Sequence, residues 1–125
     1  MRVQQGMRQL SENKAMKLLI PTFFTLLLIG LAGGSYGQDF EETKLLAEQG
    51  DAKAQFNLGF MYDIGEGVPQ NNVRAYAWWS VAAAQGLAIA RNDRDRMAEQ
   101  LTPEQLARGQ DIATKCFESD YQDCE

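Results

Sequence analysis

Two stretches of the chain repeat each other at a distance of 36 residues, and this repeat restricts the possible folds more than any other feature. LAEQGDAKAQ begins at Leu46, and AAAQGLAIAR begins at Ala82. The residues that recur at matching positions are Ala47, Gln49, Gly50, Ala52 and Ala54, and then Ala83, Gln85, Gly86, Ala88 and Ala90. Periods of roughly 20–50 residues are typical of stacked units that bury their apolar faces against one another. We therefore expect one full unit, followed by a second that keeps its beginning and loses its end.

Apolar spacing predicts that the first half of this unit is a helix, from about Asp51 to Asp63. Its apolar residues occupy two sides, with Ala54, Leu58, Met61 and Tyr62 on one and Phe56, Phe60 and Ile64 on the other. A helix that is apolar on two sides is expected to be wedged between neighbours.

The residues that follow predict a turn and a new helix. Gly65 and Gly67 can end the first helix, because glycine tolerates a positive φ. Pro69 prevents the helix from resuming, and the side-chain oxygen of Asn71 can cap the next one, as Asp51 can cap the first.

The second helix is predicted from about Asn72 to Gln85, with Gly86 stopping it. Its shared face consists of Ala75, Trp78, Trp79, Ala82 and Ala83. Small residues that alternate with large ones suit close helix crossing, and Gly59 of the first helix would make room for the tryptophans.

Further helices are expected on both sides of the repeat. A short one is predicted around Phe40 to Ala47, and a charged one from about Leu87 to Leu101. A last helix is predicted to begin after Thr102, which acts as its N-cap. Pro103 is then the first residue of the helix, and Gln105 is the capping-box partner of Thr102. Its inward stripe is predicted to be Leu106, Ala113 and Phe117, with Ile112 beside it. No stretch has the pattern of a strand, so the predicted class is all-α.

The motifs within residues 47–86 resemble a Sel1-like repeat, a relative of the tetratricopeptide repeats. The matching residues are Ala47, Gly50, Ala54, Leu58, Gly59, Tyr62, Gly65, Gly67, Val68, Ala75, Trp78, Ala82, Ala83 and Gly86. The resemblance implies a short right-handed stack of helical hairpins over residues 38–117, in which 87–117 form a degenerate capping unit. Asn71 stands where the family usually has an aspartate, which preserves the capping role.

Residues 1–37 have the composition of a secretory signal peptide, with four bases, one acid and an apolar run from Leu18 to Ala32. Cleavage is predicted after Gly37, and Met16 is a possible true start. The alternative is an uncleaved membrane anchor. Gly34 stands where a lipidated cysteine would be needed, so a lipid anchor is not expected. The predicted location is periplasmic or secreted.

Charge and composition exclude several classes of function. The full chain has 17 acidic and 12 basic residues, so without the leader it keeps 16 and 8, a net charge of −8. An acidic surface disfavours nucleic acid. The chain has no histidine, which removes His-based catalysis and His-ligated metal sites. We expect no metal, no cofactor and no catalytic residue.

The two cysteines, Cys116 and Cys124, stand close to the end of the chain. In an exported protein they predict one disulfide that ties residues 118–125. Free thiols or an intermolecular bond are the alternatives.

The loop and aromatics between the two repeat helices could instead form a ligand site. The loop GEGVPQ follows a helix and carries Glu66, whereas phosphate-binding glycine loops usually follow a strand. Aromatic residues at helical spacing usually belong to a core. We interpret the segment as a hairpin bend. The partner-binding candidates are Gln55, Asn57, Asp63 and part of Trp79.

The resemblance implies a non-enzymatic adaptor that holds a partner protein or peptide on its helical surface. A second hypothesis comes from cysteine-rich relatives that bind or hydrolyse penicillins, whose cysteines have a spacing similar to that of Cys116 and Cys124. Ser80 and Ser119 are then the candidate nucleophiles. A third hypothesis is a structural subunit of an envelope complex, which exposed Phe56, Phe60 or Trp79 would favour.

Overall fold

The computed structural model describes residues 35–125, which form five helices and contain no strand. The helices are α1 (Ser35–Glu48), α2 (Ala52–Ile64), α3 (Asn72–Ala84), α4 (Ala88–Gln100) and α5 (Pro103–Glu118). The all-α prediction is confirmed for this part of the chain. None of these five helices is long and apolar enough to cross a membrane. The expected leader lies outside the described residues except for its last three, so its cleavage and the start at Met16 stay predictions.

Local capping sets the helix boundaries, as the sequence predicts. The Asp51 side chain accepts a hydrogen bond from the Ala54 N–H at 2.8 Å, and Asn71 Oδ1 accepts one from the Arg74 N–H at 3.1 Å. Thr102 and Gln105 form a reciprocal capping box at the start of α5. These bonds satisfy main-chain donors that have no partner within a helix.

The connection between α2 and α3 is a compact bend that folds back on the end of α2. Gly65 and Gly67 have φ of 72° and 71°, a left-handed conformation that favours glycine. The Asn71 N–H donates to the Tyr62 carbonyl oxygen at 2.9 Å, and Gln70 Nε2 donates to that of Asp63 at 2.8 Å. The two helices are thereby held as a hairpin.

Helix α3 is the centre of the domain and packs against α2, α4 and α5. Its buried residues lie all around the helix: Ala75, Tyr76, Ala77, Trp78, Trp79, Val81, Ala82 and Ala83. The prediction that α2 is wedged between neighbours is therefore wrong, because α3 has that position. The first side of α2 packs inward through Ala54, Leu58 and Tyr62, whereas Phe60 and Ile64 on the other side are exposed.

Two glycines allow α3 to approach its neighbours closely. A Cβ at Gly59 of α2 would lie 2.6 Å from the Trp79 ring, and a Cβ at Gly109 of α5 would lie 2.6 Å from the Tyr76 ring. Real side chains do not approach so closely, so only glycine fits at either crossing. The role of Gly59 follows from its motif. The role of Gly109 was not recognised, although an isolated glycine within a helical pattern indicates close packing.

Helix α5 buries most of the stripe that its sequence suggests, since Leu106 and Ala113 pack against the core. Its buried residues are Gly109 and Cys116, and Leu106, Ile112 and Ala113 are half-buried. Phe117, which was predicted to face inward, is exposed. At this end of the helix the disulfide-bonded Cys116 takes the inward position, and the neighbouring Phe117 faces outward.

The segment after α5 folds back across the domain to the end of α1. Cys116 and Cys124 form the predicted disulfide, and both are buried. The Tyr121 ring lies 3.1 Å from the place of a Cβ on Gly50, and Gln122 Nε2 donates to the Glu48 carbonyl oxygen at 3.0 Å. The segment that the disulfide closes therefore lies against the turn between α1 and α2.

Replacing Gly59 with alanine tests the close approach of α2 and α3. Alanine favours a helix by about 1 kcal/mol, but the clash with Trp79 should outweigh this and lower the free energy of unfolding by about 1–3 kcal/mol. Urea denaturation measures the change. Asn57→Ala, on an exposed position of the same helix, is the control and should not destabilise the protein. Equal stability of the Gly59 variant and the wild type would contradict the packing argument.

The double variant Cys116→Ala/Cys124→Ala tests whether the disulfide stabilises the fold. The bond closes a short loop and so restricts the unfolded chain. Removing the bond should therefore lower the free energy of unfolding by about 2–3 kcal/mol. Denaturation with and without a dithiol reductant measures it. The wild type should lose stability in reductant, and the variant should not respond. A reductant-insensitive wild type would mean that the bond does not stabilise the fold.

Candidate functional site

The four partner-binding candidates occupy different environments. Gln55 and Trp79 are each 0% exposed, so their side chains are not available to a partner, and this part of the prediction is corrected. Asn57 is exposed, and Asp63 is half-buried at the end of α2. The four do not form one surface.

Trp79 is buried because it fills the crossing between α2 and α3. Its Nε1 donates to the Phe56 carbonyl oxygen at 3.1 Å, and its ring lies over Gly59. The ring of Phe56 is tilted against it, with centroids 6.5 Å apart. The indole N–H thereby has a hydrogen-bond acceptor inside the protein, and the apolar part of the ring is packed against Gly59 and Phe56.

Gln55 is buried because it joins three segments by hydrogen bonds. Its Nε2 donates to the Ala47 carbonyl oxygen at 3.0 Å, and its Oε1 accepts from Gln85 Nε2 at 2.7 Å. Gln85 Nε2 also donates to the Gly50 carbonyl oxygen at 3.1 Å. The bonds connect the end of α1, the start of α2 and the end of α3. A glutamine is polar by type, which is why sequence reasoning placed it on the surface.

An exposed stripe runs along α2 and is the clearest candidate surface. It consists of Lys53, Asn57, Phe60 and Ile64, spaced so that they share one side of the helix. Phe60 is 47% exposed and Ile64 is 52% exposed. We call these four residues the α2 stripe. Asn57 is the one predicted site residue that belongs to it.

The loop GEGVPQ does not offer its first main-chain donors to a ligand. The N–H groups of Gly65 and Glu66 both donate to the Met61 carbonyl oxygen. The Glu66 side chain adds a negative charge. The loop thus closes the end of α2, as the interpretation as a hairpin bend requires.

The two serines that were considered as nucleophiles both hold main-chain groups. Ser80 Oγ donates to the Tyr76 carbonyl oxygen at 2.7 Å, and Ser119 Oγ donates to that of Cys116 at 3.0 Å. Ser119 Oγ also accepts from the Asp123 N–H at 2.8 Å. Ser80 lies beside a groove that Glu118 also lines, but its hydroxyl proton is directed to the main chain.

Ion pairs join α1 to the C-terminal residue. Lys44 Nζ lies 3.3 Å from Glu48 Oε1 and 3.4 Å from Glu125 Oε1, and Arg74 Nη1 lies 4.0 Å from Glu125. Burial lowers the pKa of Lys44, but its hydrogen bond to Glu48 and the charges of both glutamates outweigh this and raise it. Because the pKa is raised in the folded state, the pairs stabilise the protein at neutral pH. The contribution of the Lys44 charge is lost as the pH rises through this raised pKa.

Within residues 35–125, no group of three or more cysteines, aspartates or glutamates is arranged to hold a metal ion.

Comparison with known proteins identifies the helical hairpin. Residues 52–87 match the family model of the Sel1 repeat. The matched stretch contains α2, the glycine-rich bend and α3. No curated protein matches the chain.

The role of Gln55 can be tested with Gln55→Ala. The change leaves the buried Ala47 carbonyl oxygen without its donor and opens a cavity, so unfolding should become easier by about 1–3 kcal/mol. Thermal and urea denaturation measure it. Gln49 is an exposed glutamine in the turn before α2, so Gln49→Ala is the matched control. It should leave the free energy of unfolding nearly unchanged. A neutral Gln55 variant would indicate that this residue is free for another role.

Proposed function

We propose that this chain, whose residues 52–87 match the Sel1 repeat, is a non-enzymatic interaction module that binds a partner protein through the α2 stripe. Sel1 repeats typically bind proteins. The proposal adds where the partner binds, which chemistry attracts it and where in the cell this happens.

The observation that carries the proposal is the exposure of Phe60 and Ile64 on one side of α2. Every other large apolar residue of this helix is buried or half-buried against α1, α3 or α4. Adjacent apolar residues on a surface are typical of protein interfaces. Asn57, one turn away, can supply the hydrogen bonds that orient a partner, and Asp63 lies beside the end of the stripe.

The net charge favours a basic partner. Without residues 1–37 the chain keeps twice as many acids as bases. The negative electrostatic field of such a chain speeds its encounter with a basic molecule and slows the approach of an acidic one. The charge therefore selects the class of partner, and the apolar contacts of α2 would set the affinity.

We place this activity in the periplasm or outside the cell. The composition of residues 1–37 supports export, and a buried disulfide is compatible with an oxidising compartment. The structural-subunit hypothesis fits the same location and differs in expecting a permanent partner.

Crosslinking in the native host tests the proposal. The full chain, the variants Phe60→Ser and Ile64→Ser, and the control Ile89→Ser would be expressed with an affinity tag, crosslinked in cells and recovered. Ile89 on α4 is 52% exposed and so matches Ile64 in type and exposure. Recovery of the partner should fall about tenfold or more in the α2 variants, as for a residue at the centre of an interface. Recovery should be unchanged in Ile89→Ser.

Denaturation of the same variants is the necessary control, since a partner can also be lost through unfolding. All three serine substitutions replace exposed residues and should leave stability within about 0.5 kcal/mol of the wild type. If the α2 variants recover the partner as well as the wild type does, the α2 stripe is not the interface. A partner that cannot be removed without unfolding the chain would instead favour a structural subunit.

A further inference from the structure

A second surface lies between the C-terminal halves of α3 and α5. It is a groove of about 280 Å³ lined by Ser80, Val81, Ala84, Ala113, Thr114, Phe117 and Glu118. We call it the α3–α5 groove. Its volume lies just below the range of about 300–1,000 Å³ that is typical of sites for whole small molecules. A single long side chain is a better match to this size.

The two helices that form the groove run parallel. Gly109 contacts Tyr76 in the first part of α3, and Phe117 lies near Val81 and Ala84 at its end. The C-termini of α3 and α5 therefore both lie at this end of the groove. Each is the negative end of a helix dipole, which attracts a cation.

Charged side chains add to this negative field. Glu118 lines the groove and forms no ion pair with another described residue. Residues 118–123 contain three acids and no base. Lys115 is the one base in the last turn of α5, and Asp111 pairs with it at 2.9 Å. No unpaired base in that turn therefore opposes the field.

The apolar part of the groove suits the stem of a long cationic side chain. Phe117 is 53% exposed, and Tyr121 supports its ring edge-on at a centroid distance of 6.2 Å. An aromatic face attracts a guanidinium or ammonium group. Arginine and lysine place their methylene stems along apolar surface while the charged head stays in a polar environment.

From these observations we propose that the α3–α5 groove binds an arginine or lysine side chain of a partner protein, flanked by apolar residues. The stem would lie on Val81, Ala84 and Ala113, and the charged head between Phe117, Glu118 and the two helix ends. The proposal rests on the proposed function for the existence of a protein partner. It adds a second contact site, which recognises a basic residue of that partner.

Titration with a defined peptide tests the groove directly. The probe is the capped pentapeptide Ala-Leu-Arg-Leu-Ala, added to the full chain labelled with ¹⁵N and followed by NMR. We expect shifts of the main-chain amides of Ala84, Thr114 and Glu118. The same peptide with citrulline, an uncharged analogue of arginine, should bind at least about fivefold more weakly, because it loses the attraction of Glu118, of the helix dipoles and of the aromatic ring. A peptide with glutamate in place of arginine should not bind.

Two substitutions separate the charged and the apolar parts of the site. Glu118→Gln should weaken binding of the arginine peptide about fivefold and leave the citrulline peptide unchanged. Phe117→Ala should weaken both. The matched controls are Glu104→Gln, an exposed acid at the other end of α5, and Ile89→Ala, an equally exposed apolar residue on α4. Neither control should affect binding.

Several results would overturn the proposal: no saturable shift, equal affinity for the arginine and citrulline peptides, shifts confined to the α2 stripe, or an ineffective Glu118→Gln. These outcomes differ from a failure of the proposed function, which is read from partner recovery by the Phe60 and Ile64 variants. If those variants keep the partner while the peptide still binds at Glu118, the α2 stripe is excluded and the groove stands.

Discussion

The close approach of α2 and α3 at Gly59 is the contact on which the rest of the domain depends. Trp79 covers the Cα of Gly59 and donates its indole N–H to the main chain of the same helix. This crossing brings α3 inward until nearly all of its sides are covered. A second close crossing, of Tyr76 on Gly109, then places α5 on another side of α3. The order of the layers thus follows from two glycines and the two aromatic rings that they admit.

Side-chain hydrogen bonds hold the ends of this stack in register. Gln55 and Gln85 connect the turn after α1 to the end of α3, and the C-terminal segment reaches the same turn through Tyr121 and Gln122. A stack of so few units buries little surface, so its ends need support of another kind. Hydrogen bonds, one disulfide and the pairs of Glu125 supply it here. The turn around Gly50 is where these contacts meet.

Sequence reasoning succeeded where structure depends on near neighbours in the chain. The caps Asp51, Asn71 and Thr102 and the left-handed Gly65 could all be predicted, because each acts within four residues of its own position. Exposure could not be predicted in the same way. Phe60 and Phe117 continue apolar stripes, and their exposure depends on whether another helix covers them. Gln55 is the opposite case, a polar residue that is buried. Its burial depends on the hydrogen bond to the carbonyl group of Ala47 in a different helix.

The proposed binding surfaces lie where no described helix covers apolar residues. In an array of stacked units a neighbouring unit covers such residues, and they belong to the core. Here the second unit keeps its beginning but not its glycine-rich bend, and the helix after it ends in a disulfide-bonded turn. Phe60 and Ile64 are left on one side, and Phe117 on another. The two surfaces differ in charge, because Lys53 lies at the start of the α2 stripe, whereas Glu118 and two helix C-termini lie at the groove. A partner that uses both would therefore present an apolar segment to α2 and a basic residue to the groove. Its orientation would be fixed by charge and its affinity by apolar contact.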